Sequence, residues 1–264
     1  MTFLPNRDFL IDVSLGLVSG YESDTKYGRN LEIDIAAAED IVNHGGNIFY
    51  PTTARTISVV STSDEDDQTI GDGAWDVTII GLDANYALQE VNYALNGQSA
   101  VVTTETFIRV FRMYCGACGT TGSNAGTITA TYTDDTETAV VIDVGIGQTE
   151  FAALTIPDGK FLVPIFLSAS LIKTGAGALV PRAAHVYGWA REYNASSTNN
   201  YDCWRRRFEV ILNQDGTSND QSTDRSGPVL PPRTDVRFQA AVTGDDTELT
   251  ARFQYMLVDS SQMP

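Results

Sequence analysis

The sequence has few histidines, cysteines and lysines, three residue types that enzymes often use in catalysis or metal binding. Its 264 residues include two histidines, three cysteines and only three lysines. Three cysteines do not make a disulfide framework, which fits a reducing compartment. No run approaches the roughly 20 apolar residues that span a bilayer, and residues 1–7 lack the features of a signal peptide. We therefore expect a soluble protein that is made in a cytoplasm.

Basic residues are also scarce. The chain has 34 acidic and 17 basic residues, which gives a net charge of −17. Such a surface repels phosphate groups, so we expect neither a nucleic-acid partner nor a membrane partner. The exception is Arg205-Arg206-Arg207, which follows Trp204. On an acidic protein this triplet is typical of an edge strand or of a patch that binds the acidic face of a neighbour.

Strand patterns closed by Gly, Asn and Asp turns are abundant. Asn96-Gly97 follows the strand-like run 88–95 and is a strong hairpin signal, because both residues tolerate the positive φ of a type I′ turn. About a dozen short strands at this spacing predict an all-β fold, an antiparallel β-sandwich or jelly-roll-like body. The other predicted strands are 56–61, 76–80, 106–113, 127–132, 139–144, 151–156, 161–172, 186–191, 236–242 and 249–258.

Residues 1–48 differ from the rest and are predicted as an extended N-terminal arm, in which glycines suggest turns. Residues 36–42 are its best short helix, since alanine has the highest helix propensity. Such an arm either packs along its own domain or reaches a neighbouring subunit. The sandwich body is predicted over residues 49–258, with a sub-boundary near 145–150, and residues 259–264 form a C-terminal tail.

Two motifs have residue types that bind metals. Cys115-Gly116-Ala117-Cys118 has the spacing of a zinc knuckle or redox pair, but no second pair completes four ligands. Two loop thiols are the favoured interpretation, and a local disulfide is the alternative. The run Asp64-Glu65-Asp66-Asp67 lacks the spacing of an EF-hand loop and is typical of a solvated turn. We predict no metal ligand and no cofactor, and calcium binding by residues 64–67 stays open.

Catalytic motifs are not found in the sequence. His44 and His185 have no recognisable Ser or Cys nucleophile motif near them. Among 34 acidic residues, a carboxylate pair suited to glycoside hydrolysis would occur by chance. Trp75, Trp189 and Trp204, with eleven tyrosines, could form a sugar-stacking platform, although aromatic residues are ordinary in a sandwich core. We therefore predict no catalytic residue and a protein that is not an enzyme.

Several short segments together resemble a known family. They are Lys26–Asn30, His44–Gly46, Ser58–Ser63, Gly81–Tyr86, Leu95–Gly97, Phe107–Arg112, Gly145–Thr149, Ile156–Lys160 and Arg233–Arg237, in this order. The pattern resembles β-rich proteins of tailed bacteriophages, especially marine ones, over about residues 16–258. The resemblance implies a virion structural component: a capsid decoration, head fibre or tail-associated protein. It brings no catalytic residues with it.

These observations lead to one main hypothesis, one alternative and a third candidate, a glycan-cleaving enzyme that needs a carboxylate pair in a groove. The main hypothesis is a non-enzymatic bacteriophage virion protein that packs as a homo-oligomer on capsid or tail subunits. Its expected location is the virion, after synthesis in the host cytoplasm. The alternative is a tail-associated module that binds a receptor or glycan, using exposed aromatic residues and the loops 196–200 or 213–227. The predicted partner contacts are Lys26, Arg29, Arg205, Arg206 and Arg207.

Overall fold

The structure, a computed structural model, describes residues 8–35, 37–134, 137–173, 183–198, 200–212, 219–221, 228–244 and 247–263. Within the part of the chain that the structure describes, 52% of residues lie in strands and 4% in helices, which confirms the predicted all-β sandwich class. The elements are α1 (Phe9–Ser14), β1 (Tyr21–Ile33), β2 (Glu39–Asp40), β3 (Ile57–Ser61), β4 (Asp76–Leu82), β5 (Leu88–Ala94), β6 (Val101–Val102), β7 (Arg109–Cys115), β8 (Ile128–Tyr132), β9 (Thr138–Ile142), β10 (Ala153–Thr155), β11 (Lys160–Lys173), β12 (Ala184–Arg191), β13 (Arg205–Leu212), β14 (Asn219–Gln221), β15 (Asp235–Val242), β16 (Thr247–Asp259) and a final 3₁₀ helix (Ser260–Gln262). No helix in the described ranges is long and apolar enough to cross a membrane.

The described strands form four antiparallel sheets. Two lie between residues 57 and 142, with strand orders β6-β3-β8-β9 and β5-β4-β7. The other two combine the beginning of the chain with its second half, in the orders β1-β16-β11-β14 and β10-β15-β12-β13, and β2 pairs with β15. Chain neighbours β10 and β11, and likewise β15 and β16, belong to different sheets. Such crossings are typical of a sandwich.

The β12 and β16 sheets pack face to face through aromatic residues. The ring centroids of Phe208, Phe238 and Phe253 lie 5.0–6.4 Å apart. Gly188 makes room for this stack, since a Cβ there would lie 2.6 Å from the Phe208 ring. A single buried cluster joins this stack to residues from both sides of positions 48 and 150. The domain boundaries proposed from the sequence stay predictions.

The predicted arm is part of the sandwich from residue 21 onward. β1 pairs with β16 from Tyr21 opposite Val258 to Ile33 opposite Thr247, so it packs along its own domain. Gly28 is not a turn residue. A Cβ at this position would lie 2.4 Å from the backbone nitrogen of Ala152, so its glycine reflects a close approach of two backbones.

The helix predicted at residues 36–42 is wrong. Residue 36 lies outside the described residues, and Glu39–Asp40 form β2 beside β15. The Ile41 N–H donates to the Phe238 carbonyl, and Ile41 is fully buried. Burial of this segment against the sheet outweighs the helix propensity of its alanines. The helix of the arm is α1, where the Asp8 carboxylate accepts a hydrogen bond from the Leu10 N–H.

The hairpin predicted at Asn96-Gly97 is also wrong. Gly97 has a positive φ of 55°, but the flanking strands do not pair with each other. β5 pairs with β4, whereas β6 pairs with β3. The residues make a turn between two sheets, because local turn chemistry does not determine which strand becomes the partner. Residues 245–246, at the predicted turn between the last two strands, lie outside the described residues.

Candidate interaction surfaces

Lys26 cannot serve as a partner contact in this fold. The β1 register turns its side chain toward the core, where it is 2% exposed. Its Nζ donates to the Phe111 carbonyl at 3.1 Å and lies 4.4 Å from the Phe111 ring centroid. Burial, reinforced by the charge of Arg112, lowers the pKa of Lys26 well below its usual value. The sequence prediction is corrected here, since a short stretch does not show which face of a strand is buried.

Arg29 lies on the opposite face of β1 and is partly exposed. Its Nε donates to Glu248 Oε1 at 2.6 Å, and its Nη1 lies 3.8 Å from Glu150 Oε2. These two carboxylates hold the guanidinium against the sheet, and the Glu248 hydrogen bond raises the pKa of Arg29. Its role as a partner contact stays a prediction.

The arginine triplet begins β13, the last strand of its sheet, as the edge-strand interpretation predicts. The side chains of Arg205 and Arg206 are 56% and 51% exposed, whereas Arg207 is half-buried. Each has a nearby acidic partner: Asp202 for Arg205, Glu209 for Arg206 and Glu192 for Arg207. The first two arginines therefore present most of their N–H donors to solvent.

Aromatic side chains of β12 continue this surface. His185, Tyr187 and Trp189 follow one another on the outer face, with centroid distances of 5.9 and 6.1 Å. The Cζ of Arg206 lies 5.2 Å from the Tyr187 centroid. We call Tyr187, Trp189, Arg206 and Ile211 of this face, together with the neighbouring Arg205 at the start of β13, the arginine surface; Arg206 pairs with Trp189, whereas Arg205 pairs with the buried Ala190. The alternation of small buried residues with His, Tyr and Trp from 184 to 190 is the sequence signal for this face.

A buried ionic node lies at the Arg191 end of β12, on the same face of the sheet as Tyr187 and Trp189. The fully buried Asp235 carboxylate accepts two hydrogen bonds from Arg109, at 2.9 and 3.0 Å, and one from Arg191 Nε at 2.8 Å. Thr155 Oγ1 donates to the same carboxylate at 2.5 Å. Burial disfavours the charged guanidinium, but the Asp235 charge outweighs it and raises the pKa of Arg109. The node joins β7, β10, β12 and β15, and no local sequence pattern links residues this far apart.

The acidic run at residues 64–67 divides into two structural roles. Asp66 is fully buried and accepts hydrogen bonds from the backbone N–H groups of Ala74, Ala125 and Gly126. Asp67 accepts from the N–H of Thr69 at 2.6 Å. These carboxylates hold loops together by binding backbone amides. Within the described ranges, no group of three or more His, Cys, Asp or Glu side chains is arranged to hold a metal ion.

The remaining acids of this region face solvent around an apolar side chain. Ile70 is 81% exposed and lies between Asp64, Glu65 and Asp72, all of which are exposed. We call these four residues the acidic surface. Residues 51–150 contain 14 acidic and three basic residues, against 12 and 11 in residues 151–264. The negative charge of the chain is therefore concentrated in residues 51–150, the segment that carries the acidic surface.

The acidic and arginine surfaces lie toward opposite ends of β4. Asp66 binds Ala74, just before β4 begins, whereas Leu82 at its other end pairs with Arg109 of the buried node. Seven strand residues span about 20 Å. The node in turn connects to β12, where Arg191 continues the outer face of Tyr187 and Trp189.

A second exposed group is apolar and belongs to the N-terminal segment. Its members are Phe9, Ile11, Leu15 and Leu17, whose exposed fractions run from 43% to 56%. We call them the apolar ridge. On its other side α1 packs Val13 against Met256 and Val258. Sequence analysis missed α1, although Asp8 before an apolar run is an N-cap signal.

The three cysteines are free thiols. Cys115 and Cys118 pack against the main core. Burial raises the pKa of Cys115 to about 12 and also raises the pKa of Cys118. Protonated thiols are poor nucleophiles and poor metal ligands. Of the two loops proposed to bind a glycan, residue 199 and most of residues 213–227 lie outside the described residues.

Comparisons with known proteins do not assign a family. No protein-family model matches the chain, and no curated protein matches it either. Among solved structures, the chain aligns with infectious bursal disease virus Gt strain at 7% identity and a TM-score of 0.21, over 99% of this chain and 76% of that one. For the Gx strain of the same virus the values are 8%, 0.19, 92% and 74%. TM-scores this low do not indicate a common fold and carry no argument about function.

Proposed function

We propose that the chain is a non-enzymatic structural protein of a bacteriophage virion that packs on the capsid or tail by protein–protein contacts. The observation that carries the proposal is the apolar ridge, four large apolar side chains exposed within nine residues of the N-terminal segment. Large apolar side chains exposed this close together in the chain are typical of a segment that a partner covers. The order of the phage-like segments supports the choice of a virion subunit as that partner.

Binding to phage particles tests the proposal. Purified protein is mixed with separately purified capsids and tails, and the bound fraction and molar mass are measured by multi-angle light scattering. We expect saturable capture by one of the two particles, because a structural subunit has a fixed number of sites. Capture by neither particle would refute the proposal.

A matched pair of variants tests the ridge itself. The double variant Ile11→Asp, Leu15→Asp places two charges in the ridge and is expected to abolish capture. Val144→Asp is the control, because Val144 is 57% exposed but lies in a turn away from the ridge. Equal capture of both variants would show that the apolar ridge is not part of the interface with the particle.

A receptor- or glycan-binding module of the tail is the second candidate. The aromatic row of His185, Tyr187 and Trp189 favours it, since ring faces stack on sugars. Retention on immobilised host polysaccharide, lost in Trp189→Ala, is the expected result for this candidate. If the wild-type protein is not retained, the second candidate is wrong.

A further inference from the structure

We propose that the arginine surface of one protomer binds the acidic surface of a second copy in a head-to-tail contact. This inference deepens the proposed packing function by naming a partner, but it uses residues outside the apolar ridge. It rests on the charge, the composition and the placement of the two surfaces.

The charge of the two surfaces is complementary. Asp64, Glu65 and Asp72 are exposed and have no basic partner among the residues that the structure describes. Arg205 and Arg206 each have one acidic neighbour, at 3.1 and 3.5 Å, and more than half of each side chain is exposed. A guanidinium has five N–H donors, so each arginine can bind a second carboxylate.

The two surfaces also match in their apolar parts. Ile70, which lies between Glu65 and Asp72 in the chain, is 81% exposed, the highest value of any large apolar residue in the described ranges. The arginine surface offers Ile211, which is 46% exposed, and the rings of Tyr187 and Trp189. Aromatic, aliphatic and arginine side chains surrounded by charge are the usual composition of an interface centre.

The placement of the surfaces decides the geometry of the contact. They lie toward opposite ends of β4, so the arginine surface and the acidic surface of one protomer cannot contact each other. A contact between two different surfaces is heterologous, and it continues from copy to copy into a ring or a filament. Both are arrangements that virion subunits can use.

Self-association measured against salt tests the contact. We expect the molar mass of the full chain to rise with concentration at low salt and to return to the monomer value at high salt, because exposed ion pairs are screened. The ridge variant Ile11→Asp, Leu15→Asp is expected to keep this behaviour. A wild-type protein that stays monomeric at low salt would overturn the inference, whether or not particles capture it.

Charge-reversal variants identify the surfaces. Arg205→Glu, Arg206→Glu and, separately, Asp64→Arg, Glu65→Arg are each expected to weaken self-association at least about tenfold, since like charges then face each other. Arg252→Glu is the control, because Arg252 is exposed on a different sheet. Thermal unfolding of each variant verifies that it is folded. Unchanged association in either double variant would contradict the contact.

Mixing the two double variants gives the decisive result. The first retains an intact acidic surface and the second an intact arginine surface, so a head-to-tail contact predicts that unlike copies associate in the mixture although each variant alone associates weakly. A symmetric contact made by one surface alone would instead leave the variant with that surface intact self-associating and give no complex of unlike copies. A mixture that remains monomeric therefore overturns the inference.

Binding of the wild-type monomer to an acidic polysaccharide through Arg205 and Arg206 would overturn it as well, because the arginine surface would then bind a different ligand.

Discussion

The buried node and the arginine surface share strand β12, yet their arginines have opposite surroundings. Arg109 is 5% exposed and makes two hydrogen bonds to Asp235, while Arg206 is about half exposed and lies 3.5 Å from Glu209. A buried charge must be paired inside the fold, whereas an exposed one is already hydrated and gains little from a local partner. The first kind of arginine therefore contributes to stability, and the second kind is available for binding.

Removal of the Asp235 charge should have the largest effect. In Asp235→Asn the shape of the side chain is kept, but Arg109 and Arg191 lose their shared carboxylate. We expect a loss of about 3–5 kcal/mol in the free energy of unfolding, because breaking a buried ion pair leaves uncompensated charge. Chemical denaturation gives the value.

The control for this variant is Asp158→Asn. Asp158 pairs with Arg233 at 2.8 Å but is 49% exposed, so its loss should cost no more than about 1 kcal/mol. Similar losses in the two variants would show that burial does not separate the two kinds of ion pair.

Asp66 extends the comparison to a buried carboxylate that has no arginine partner. It is held by three backbone N–H groups and by the Ser61 hydroxyl at 2.6 Å. In Asp66→Asn an NH2 group replaces one of the two acceptor oxygens. This donor then faces another donor, the N–H of Gly126 or of Ala125. We expect a loss of about 3 kcal/mol in unfolding free energy, since hydrogen bonds to charged groups are the stronger ones. Asp64→Asn, on the exposed acidic surface, should leave the unfolding free energy unchanged.

The sequence predicted most of the strands in this fold and much less of their pairing. Alternation located β3, β8, β12, β15 and β16 within a few residues, because one face of each is buried and the other is not. In β16, Phe253 and Met256 lie on opposite faces of the strand and join separate clusters. The node at Asp235 could not be found this way, because its partners are brought together only by the packing of different sheets.

The two wrong local predictions have the same physical origin. The alanines at 36–38 favour a helix, but Ile41 is buried against β15. Asn96-Gly97 favours a hairpin between β5 and β6, but β6 pairs with β3 instead. In both places tertiary burial outweighs a local preference of about 1 kcal/mol or less per residue. The edge-strand position of Arg205–Arg207 could be predicted from the sequence, because burial in the core does not override the local preference of exposed residues.

His44 is a half-buried group whose ring nitrogen lacks a charged hydrogen-bond partner, in contrast to the buried Arg109. It stacks on Phe151 with a centroid distance of 6.2 Å, and its Nδ1 is buried without a hydrogen bond. Burial lowers the pKa of His44 from 6.5 to about 4. The unfolded chain therefore binds a proton more readily than the folded protein between these two pH values.

This difference predicts a pH-dependent loss of stability. The contribution of neutral His44 is fully present above pH 6.5 and is lost as the pH falls from 6.5 toward 4, by about 2–3 kcal/mol. Denaturation curves of the wild type and of His44→Gln, measured across this range, should diverge at high pH and converge at low pH. Parallel pH profiles would show that His44 does not titrate differently on folding. His185→Gln is the control, because His185 is exposed beside Glu209.

The smallest effect on stability is expected at the arginine surface. Arg205→Ala, Arg206→Ala removes two exposed ion pairs, each worth about 0–1 kcal/mol, so the unfolding free energy should change by less than about 1 kcal/mol. The measurement is made at high salt, where self-association is screened and cannot add to stability. A loss as large as that of Asp235→Asn would mean that these arginines support the fold. A negligible loss combined with weakened self-association at low salt would assign the two arginines to binding, which is the division of roles that their burial indicates.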